Sequence, residues 1–573
     1  MSDSKQLPEE KPLLTVDALT IDFLQDRGRV LRAAEDVSFR VDRESTTALV
    51  GESGSGKTVS ALAVMGLLPK RQAIISPASR LVFDGISLRD LDARQWQSVR
   101  GSRISMIFQD PMSSLNPVLT IGYQLMEMLL LHRKLSKSEA REKAIDMLRE
   151  VGIQEPAKRM RSYPHELSGG QQQRAMIAMA LACEPDLLIA DEPTTALDVT
   201  IQRQILTLLA ELRSRRRMSM LFITHDLSLV HEIADQVVVM QHSKVRETGP
   251  VRRIFAAPEH PYTQALLACR PSLERPVDRL VTIDDWLSGN GAPMAVRAPA
   301  PVAAPEIGQQ PLLRATHLRK VFTQRTGLMR SEPFVAVDDV SFDLFKGKTV
   351  GIVGESGSGK TTVGLTLLRL HEASAGQVWF EGKNLLDMRS AEFQAYKRRI
   401  QIVFQNPYAS LNPRFTVEQI LTEPMLLHGV GGNASERGQM ALTLLDKVGL
   451  PSSALRRYPF EFSGGQRQRI AIARALALSP EVMVLDESVS ALDVSVQAQI
   501  LNLLKDIQKD LSLSYLFISH DLAVVRHMAD HLLVMQRGRV VEQGPTSAVY
   551  AAPAHAYTRE LLASVARQPA LAA

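Results

Sequence analysis

The sequence has few cysteines and no long apolar run. Only two of its 573 residues are cysteine, Cys183 and Cys269, and they form no CxxC pair. A disulfide framework and a zinc module are therefore excluded, and we expect a reducing compartment such as the cytoplasm. The first residues, MSDSKQLPEEKPLL, lack the apolar core of a secretory signal. Because no uninterrupted apolar run reaches about 18 residues, we expect a chain that does not cross a membrane by itself.

A strong charge of one sign is also absent. The 67 Lys and Arg residues against 62 Asp and Glu residues leave a formal net charge of +5. This balance does not by itself indicate a nucleic-acid partner. Hydrophobic residues make up 45% and charged residues 23% of the chain, which excludes a mostly disordered protein. Because 573 residues exceed what one hydrophobic core usually supports, we expect at least two domains.

The sequence repeats itself. GESGSGKT at 51–58 returns at 354–361, and FQDPMSSLNP at 108–117 returns as FQNPYASLNP at 404–413. An SGGQ motif, an Asp-Glu pair and a histidine then recur in the same order, each 295 residues later. The offset falls from 303 residues at the first motif to 296 at the second, so the first copy holds seven extra residues, which we assign to RQAIISPAS at 71–79. Five motifs in one order indicate a gene duplication.

The duplication divides the chain into segments. The stretch 288–311 contains 14 Ala, Pro and Gly residues among its 24 and shows no helical or strand period, which predicts a linker. Two α/β domains are predicted at 1–255 and 312–550. The remaining stretches, 256–287 and 551–573, follow the first and the second domain as C-terminal segments.

Both copies of GxxxxGK[ST] have the sequence context of a P-loop, an apolar strand-like run before the motif and a helix-like run after it. Glycines let backbone N–H groups surround a phosphate, and the helix N-terminus favours the same anion. We therefore expect ATP, with the lysines on its β- and γ-phosphates and the threonines on Mg²⁺. The predicted nucleotide-binding residues are Gly51, Gly54, Ser55, Gly56, Lys57 and Thr58 in the first loop and Gly354, Gly357, Ser358, Gly359, Lys360 and Thr361 in the second.

An acid pair follows four apolar residues in each half, Asp191-Glu192 and Asp486-Glu487. Such a run is typical of a buried parallel strand, whose C-terminal end lies at the ligand crevice. Asp191 and Asp486 are the expected Mg²⁺ carboxylates. Glu192 and Glu487 are the expected general bases that polarise the attacking water. A solvated turn would explain the pair alone, but the P-loop upstream favours the catalytic interpretation.

Together these motifs resemble those of the ATP-binding-cassette (ABC) transporter ATPases over nearly the whole chain. The distinguishing motif is LSGGQ at 167–171, with the variant FSGGQ at 462–466. The resemblance implies an α/β fold of two tandem ABC-type P-loop NTPase domains, each with a mixed sheet core and a helical signature subdomain. It also implies a head-to-tail pairing in which each P-loop faces the signature of the other domain. The signature residues expected at nucleotide are Ser168, Gly170, Gln171, Ser463, Gly465 and Gln466.

The resemblance extends to the remaining motif positions. Asp198 and Asp493 match the D-loop. An aromatic residue that stacks on adenine is expected near the first strand of each domain, although an aromatic in a strand is more often part of the core. By this match Gln109 and Gln405 are Mg²⁺ ligands, His225 and His520 contact the γ-phosphate during catalysis, and Phe23 and Phe322 stack on adenine.

Two stretches carry weaker signals. Residues 123–131 form a Met- and Leu-rich helical pattern, for which core packing and permease contact are both open interpretations. Ser488-Val489 stands where the first half has Pro193-Thr194. This difference changes the turn after the glutamate and no catalytic group, so we predict two sites competent for hydrolysis.

The C-terminal segments indicate one branch of the family. HPYTQALL at 260–267 and HAYTRELL at 555–562 resemble the C-terminal segment of oligopeptide and dipeptide importer ATPases. The fusion of two domains, FLQDRG near Phe23 and the SVSALDVS run are similar to the glutathione-importer type. The resemblance implies a peripheral ATPase on the cytoplasmic face of the bacterial inner membrane. Its partners would be two permease subunits and, through them, a periplasmic substrate-binding protein, and the substrate itself would not touch this chain.

Two other classes of protein compete with this interpretation. A soluble tandem cassette acting on ribosomes or DNA would carry a charged helical linker or zinc modules, whereas this linker has only Arg297 and Glu306 as charged residues and the two cysteines are far apart. A non-enzymatic regulator that binds ATP would not need Glu192 and Glu487. A peptide importer ATPase is therefore favoured.

Overall fold

The computed structural model describes residues 11–24, 29–110, 114–195, 197–269, 271, 273, 277–288, 310–325, 331–490 and 492–564. They fall into two compact units. The first unit takes the described residues up to 197 and 201–268, and the second takes 198–200 and the described residues from 269 to 564. Most of the predicted linker 288–311 and the end of the predicted segment 551–573 lie outside the described residues. None of the described helices is long and apolar enough to cross a membrane.

The first unit contains two sheets. One is antiparallel, with the order β2-β1-β5-β6 and β4 added on β1. The other has the order β11-β10-β3-β9-β8-β7 and is parallel except for its edge strand β11. The strands are β1 Leu14–Leu24, β2 Val30–Val41, β3 Thr46–Val50, β4 Ala73–Ile75, β5 Arg80–Phe83, β6 Ile86–Ser87, β7 Ile104–Ile107, β8 Leu187–Asp191, β9 Ser219–Thr224, β10 Gln236–Gln241 and β11 Lys244–Pro250.

The helices of the first unit lie around the parallel sheet and in a separate helical subdomain. The described helices are α1 Lys57–Val64, α2 Ala93–Val99, α3 Ile121–Arg133, α4 Lys137–Glu150, α5 Pro156–Arg159, α6 Gly169–Leu181, α7 Val199–Arg216, α8 Leu227–Ile233, α9 Val251–Ala256 and α10 Pro261–Ala268. The subdomain helices α3, α4 and α6 bury their apolar faces in one cluster that includes Leu125, Leu148 and Ile177. This subdomain carries the SGGQ motif at the start of α6.

The second unit repeats the plan with a four-stranded sheet, β13-β12-β15-β16, and a six-stranded sheet, β17-β18-β19-β14-β20-β21. The strands are β12 Leu313–Arg325, β13 Ser331–Leu344, β14 Thr349–Val353, β15 Ala375–Phe380, β16 Lys383–Asn384, β17 Ile400–Val403, β18 Val482–Asp486, β19 Ser514–Ile518, β20 His531–Gln536 and β21 Arg539–Pro545. The described helices are α11 Ile283–Leu287, α12 Lys360–Leu367, α13 Ser390–Arg399, α14 Pro407–Ser410, α15 Val417–Leu427, α16 Ala434–Lys447, α17 Gly464–Leu476, α18 Val494–Leu511, α19 Leu522–Met528, α20 Thr546–Ala551 and α21 Ala556–Ser564.

The predicted fold class is confirmed, and the apolar runs are the buried strands that the sequence indicated. Every residue of β3, β8 and β9 is buried, because parallel strands are covered on both faces. The helix-like run that the sequence shows after the first P-loop, residues 59–68, extends beyond the helix itself. The helix begins at Lys57 and ends at Val64, since Gly66 takes a left-handed conformation with φ 61° that stops the helix.

The extra segment of the first copy forms a strand. Within RQAIISPAS, residues Ala73–Ile75 make β4, which pairs antiparallel with β1 from Ile21 to Phe23. The corresponding sheet of the second unit has four strands where this sheet has five. The additional residues therefore widen the antiparallel sheet of the first unit and leave its parallel sheet unchanged.

Residues 277–288, which we call the strap, follow the first cassette in sequence and pack on helices of the second unit. The Asn502 side chain, 3% exposed on α18, accepts the N–H of Leu280 at 3.0 Å and donates to its carbonyl at 2.8 Å. Leu280 is itself buried in the core of the second unit. Arg279 bonds both carboxylate oxygens of Asp506 at 2.9 and 3.0 Å. The sequence placed this stretch after the first domain and carried no signal of its packing.

Candidate functional site

The functional side chains of each unit come from neighbouring parallel strands. In the first unit the P-loop follows β3, Asp191 ends β8, and His225 follows β9. Gln109 follows β7 by two residues. Because parallel strands point the same way, their carboxyl ends meet at one edge of the sheet. The second unit repeats this with β14, β18, β19 and β17.

The P-loops need glycine where the chain turns tightly. Gly51 has φ 149°, and a Cβ atom there would lie 2.1 Å from the carbonyl oxygen of Met240. Gly54 has φ 78° and no atom within 4 Å of the place where a Cβ would be. The loop is therefore closed against the sheet on one side and open on the other. The second loop has the same geometry at Gly354 and Gly357.

The P-loop lysines are buried and bound to their own loops. Lys57 is 5% exposed, and its Nζ donates to the carbonyls of Gly51 at 2.7 Å and Glu52 at 2.8 Å. Lys360 makes the same two bonds, at 2.7 and 2.9 Å. Burial lowers the pKa of Lys360, although the nearby acids oppose the effect. Each ammonium is thus held inside the loop that would surround a phosphate.

Each P-loop threonine is bonded to the aspartate that the sequence paired with it. Thr58 Oγ1 donates to Asp191 Oδ1 at 3.0 Å, and Thr361 Oγ1 donates to Asp486 Oδ1 at 2.9 Å. Both carboxyl groups are buried, at 2% and 4% exposure. Burial, helped by the charge of the adjacent glutamate, raises the pKa of Asp191 and of Asp486 to about 6.

Glu192 is the centre of a hydrogen-bond network. Its carboxylate accepts Gln109 Nε2 at 2.9 Å and Thr195 Oγ1 at 2.9 Å, and it lies 3.2 Å from Nδ1 of His225. Burial alone would raise the pKa of Glu192, but the His225 ring and the Lys57 charge lower it to about 2. Glu192 also has φ 46°, and its N–H donates to the carbonyl of Ile223 at 2.9 Å, which fixes this uncommon conformation.

The second network differs at one position. Glu487 accepts Gln405 Nε2 at 2.7 Å and lies 3.3 Å from Nδ1 of His520, and its φ is again 46°. Ser490, however, donates to the backbone carbonyl of Glu487 at 2.8 Å and not to the carboxylate. Hydroxyl residues 295 positions apart were visible in the sequence as Thr195 and Ser490. The sequence did not show that the two hydroxyl groups have different hydrogen-bond partners.

The signature motifs begin helices. Ser168 caps α6 by accepting the N–H of Gln171 at 3.4 Å, and the Gln171 side chain accepts the N–H of Ser168 at 3.2 Å. The Ser463 and Gln466 pair caps α17 in the same way. At Gly465 a Cβ would lie 2.2 Å from Val496, so this glycine also permits close helix packing.

The remaining predicted residues are the two D-loop aspartates and the two phenylalanines. Asp198 and Asp493 directly precede α7 and α18. Phe23 in β1 packs, half-buried, against the core of the first unit. Phe322 in β12 meets His371 edge-on with ring centroids 5.2 Å apart, and Lys320 Nζ lies 4.8 Å from the Phe322 ring centroid. Adenine stacking by either phenylalanine stays a prediction.

Comparisons with known proteins agree with this geometry. The family described as ABC transporter matches residues 34–195 and 337–490. The family described as oligopeptide/dipeptide transporter, C-terminal region, matches 246–289 and 541–571.

Several curated relatives align along nearly the whole chain. The glutathione import ATP-binding protein GsiA of Escherichia coli (strain K12) and that of Shigella dysenteriae serotype 1 are each 47% identical to it, covering 96% of this chain and 89% of their own. The peptidoglycan transport ATP-binding protein YejF of Agrobacterium fabrum is also 47% identical, covering 97% of this chain and 96% of its own.

The fold, the duplicated sites and these matches define a tandem nucleotide-binding cassette protein. The chain belongs to the ABC transporter family. It is an ATPase that binds ATP and whose hydrolysis of ATP energises transport.

Proposed function

We propose that this chain is the peripheral ATPase subunit of a bacterial inner-membrane importer for peptides, including glutathione-like ones. The observation that carries the proposal is the duplicated catalytic network in a chain whose two halves both match the oligopeptide/dipeptide C-terminal region. The names of the relatives, glutathione import and peptidoglycan transport, support substrates of the peptide class. The partners are two permease subunits and, through them, a periplasmic binding protein.

Mg²⁺ fits the chemistry of both sites. Each offers a threonine hydroxyl, a glutamine amide and one buried carboxylate: Thr58, Gln109 and Asp191 in the first unit, Thr361, Gln405 and Asp486 in the second. Mg²⁺ in nucleotide sites commonly takes one or two carboxylates with substrate phosphates. When bound, it would neutralise charge on the β- and γ-phosphates. The raised pKa of Asp191 supports this, because a nearby cation would offset the cost of ionising a buried carboxylate.

The chain's own residues then act on the attacking water. Glu192 is ionised at neutral pH and can accept a hydrogen bond and a proton from water on the phosphate side. His225 lies 3.2 Å from Glu192 and lowers its pKa. If the imidazole turns to the γ-phosphate, that effect is removed and Glu192 becomes a stronger base. Glu487 and His520 form the same pair.

The two cassettes act, in this proposal, as a head-to-tail pair. Ser168 and Gly169 are exposed at the N-terminus of α6, and Ser463 is exposed at that of α17. Helix N-termini favour phosphate, so each signature can serve the γ-phosphate of a nucleotide held by the P-loop of the other cassette. Because both cassettes are in one chain, one copy provides two composite sites.

The permease contact is proposed for the helical subdomains. On α3, Leu125 and Leu129 are buried, whereas Tyr123 is 56% and Leu131 is 69% exposed. The helix thus supplies both the core packing and an apolar outer face. On α15, Leu426 and Leu427 are 62% and 76% exposed. Neighbouring exposed apolar side chains favour a protein partner.

Reconstitution tests this function. The chain is purified with a peptide-importer permease pair from its own organism, placed in lipid nanodiscs, and its ATPase rate is measured with the matching periplasmic binding protein, empty or loaded with glutathione or dipeptides. We expect a several-fold stimulation by one loaded form and none in the double variant Glu192→Gln, Glu487→Gln. Failure to recover a permease, together with co-sedimentation on ribosomes, would reject the importer in favour of a soluble cassette.

A further inference from the structure

The C-terminal segments contain a short motif, His-x-Tyr-Thr, that the nucleotide chemistry described above does not use. It comprises 260–263 in the first unit and 555–558 in the second. Both tyrosines are buried, Tyr262 at 0% and Tyr557 at 5% exposure. They lie more than 200 residues after the P-loop residues that they contact, so no local sequence pattern relates the two.

Each tyrosine hydroxyl contacts the P-loop of its own unit. The N–H of Glu52, the second residue of the first loop, donates to the Tyr262 hydroxyl at 3.4 Å. The N–H of Glu355, at the same position of the second loop, donates to the Tyr557 hydroxyl at 3.1 Å. The contact thus occurs twice, in independently packed units.

The P-loop residue whose N–H bonds the tyrosine also accepts a hydrogen bond from the P-loop lysine. The carbonyl of Glu52 accepts Lys57 Nζ at 2.8 Å, and the carbonyl of Glu355 accepts Lys360 Nζ at 2.9 Å. A hydrogen bond to the N–H of this residue therefore restrains the loop segment from which the P-loop lysine is positioned. Loss of it frees the turn at the point where the loop leaves the sheet.

Each tyrosine is itself held by a glutamate and a histidine. In the first unit Glu247, on β11, accepts the N–H of Glu259 at 2.9 Å and that of His260 at 3.1 Å. His260 Nδ1 then accepts the N–H of Tyr262 at 3.1 Å. Strand β11 pairs with β10, and Met240 of β10 lies against the P-loop. Glu247, which supports the tyrosine, and the P-loop are therefore both held by the same sheet.

The second unit has the same support. Glu542, on β21, accepts the N–H of Ala554 at 2.8 Å and that of His555 at 3.0 Å. His555 Nδ1 accepts the N–H of Tyr557 at 3.2 Å. Ala556 replaces Pro261 inside the motif without changing this arrangement, so the histidine and the tyrosine are the parts that matter.

We propose that Tyr262 and Tyr557 are positioning residues for the P-loops, through which the C-terminal segment of each cassette sets the affinity of that cassette for nucleotide. The role follows from the geometry. The hydroxyl holds the N–H of the second P-loop residue, and the loop then presents its lysine and its open backbone to phosphate. The inference rests on the ATPase sites described above and is independent of what is transported.

The test is equilibrium binding of a fluorescent ADP analogue with Mg²⁺ to the full chain, and the KM and kcat of ATP hydrolysis. In the double variant Tyr262→Phe, Tyr557→Phe we expect nucleotide affinity to fall and KM to rise about three- to tenfold, with kcat changed less than about twofold, because one hydrogen bond per loop is lost. Glu247→Ala with Glu542→Ala should weaken binding in the same direction, since it releases the support of both tyrosines.

Tyr515→Phe is the matched control. Tyr515 is also fully buried, and its hydroxyl donates to the carbonyl of Leu504 at 2.8 Å, away from the P-loop. This variant should lower the unfolding midpoint and leave KM unchanged. If the double tyrosine variant also loses only thermal stability, with ADP affinity within about 1.5-fold of the parent, the positioning role is rejected. If the parent chain itself binds no nucleotide, it is the ATPase assignment that fails and not this inference.

Discussion

Each site contains two adjacent acidic residues whose pKa values are shifted in opposite directions. The buried Asp191 carboxylate accepts a hydrogen bond from Thr58, but burial outweighs this bond and raises the pKa of Asp191 to about 6. Glu192 is also buried, but the hydrogen bond and charge of His225, the charge of Lys57 and the hydrogen bond from Thr195 lower its pKa to about 2. The structure therefore keeps Glu192, the proposed general base, ionised and leaves Asp191, the proposed Mg²⁺ ligand, poorly stabilised in the absence of a nearby cation.

This contrast predicts opposite effects of two isosteric changes on the chain without nucleotide or metal. The cost of ionised Asp191 is absent below about pH 3.8, grows up to about pH 6 and is fully present above it. Asp191→Asn should therefore raise the thermal midpoint at pH 7.5, by roughly 2 to 4 °C.

Glu192→Gln should do the reverse. The stability that ionised Glu192 contributes is present above about pH 4.5 and is lost as pH falls toward 2, so at pH 7.5 the glutamine variant loses all of it. We expect its thermal midpoint to fall by roughly 2 to 4 °C in EDTA. Scanning calorimetry of both variants, with Asp486→Asn and Glu487→Gln as the parallel pair, checks the signs. A shift of the same sign for Asp191→Asn and Glu192→Gln would contradict the assignment.

At the scale of elements, Asn502 is the buried polar anchor of the strap 277–288. Asn502 satisfies both backbone groups of Leu280 inside the core, whereas the Arg279–Asp506 pair is about half exposed. Buried groups left without partners are costly, and exposed ion pairs contribute little. The packing of this element thus depends on Asn502 far more than on the salt bridge.

Asn502→Leu should release the strap. It leaves the N–H and carbonyl of Leu280 without their partner, at a cost of about 1 to 3 kcal/mol. We expect trypsin to cleave after Arg279 at least about tenfold faster than in the parent. Mass spectrometry of the peptide that ends at Arg279 measures this rate. Asp506→Asn is the control and should change that rate less than about threefold. Equal cleavage of Asn502→Leu and the parent would show that other contacts hold the strap.

Helix α19 contains a histidine that is neutral at pH 7. Burial and the charge of Lys505 lower the pKa of His527 to about 3, although a backbone bond to Val277 in the strap opposes them. Its folded pKa lies below its usual 6.5, so the stability linked to it is complete above pH 6.5 and is lost as pH falls toward 3. The strap and α19 should therefore loosen together in acid.

His527→Gln removes this titration and should flatten the pH dependence. Between pH 7.5 and pH 5.0 the parent should lose about 2 kcal/mol more than the variant, because a neutral side chain gains no proton on unfolding. Urea unfolding at the two pH values measures the difference. Identical pH slopes in the parent and the variant would mean that His527 is already accessible to protons in the folded chain.

At the scale of the whole molecule, one chain carries two copies of the proposed hydrolytic network that are not identical. Thr195 bonds the carboxylate of Glu192, while Ser490 bonds the backbone of Glu487. Otherwise the P-loop lysine, the threonine–aspartate pair, the glutamine and the histidine recur with distances within 0.2 Å of each other. Both sites are therefore expected to turn over, at different rates.

Glu192→Gln and Glu487→Gln test this. Each single change should lower the steady-state ATPase rate, by unequal factors, and the double change should reduce it at least about a hundredfold, since the base is lost from both sites. Nucleotide binding should persist in all three variants. If one single change leaves the rate of the parent untouched, the site that contains it does not contribute to turnover.

The motifs and the elements next to them could be predicted from the sequence, whereas most side-chain contacts could not. The strands before each P-loop and the helices after it followed from motifs whose chemistry requires those residue types in that order, and so did the grouping of Thr58, Gln109 and Asp191 around one expected cation. The hydrogen bond from Gln109 to Glu192 was not predicted. The insertion 71–79 was also located correctly, although its strand was not foreseen. The partners of Thr195 and Ser490, the packing of the strap and the tyrosine contacts to the P-loops had no signal in the order of residues.

The amino-acid sequence by itself determined the duplicated cassettes and their class of chemistry, and it identified the side chains that we propose to perform it, because phosphate binding depends on short contiguous motifs and on strand-end acids. The tertiary structure alone decided which hydroxyl meets which carbonyl and which helix covers the strap. It also decided that a tyrosine in the C-terminal segment lies behind each P-loop. The strap and tyrosine contacts join residues 200 or more positions apart, whereas Thr195 and Ser490 bond residues three positions away. The geometry of both kinds of contact is set by the packing of whole sheets and helices to interior density, not by local pattern.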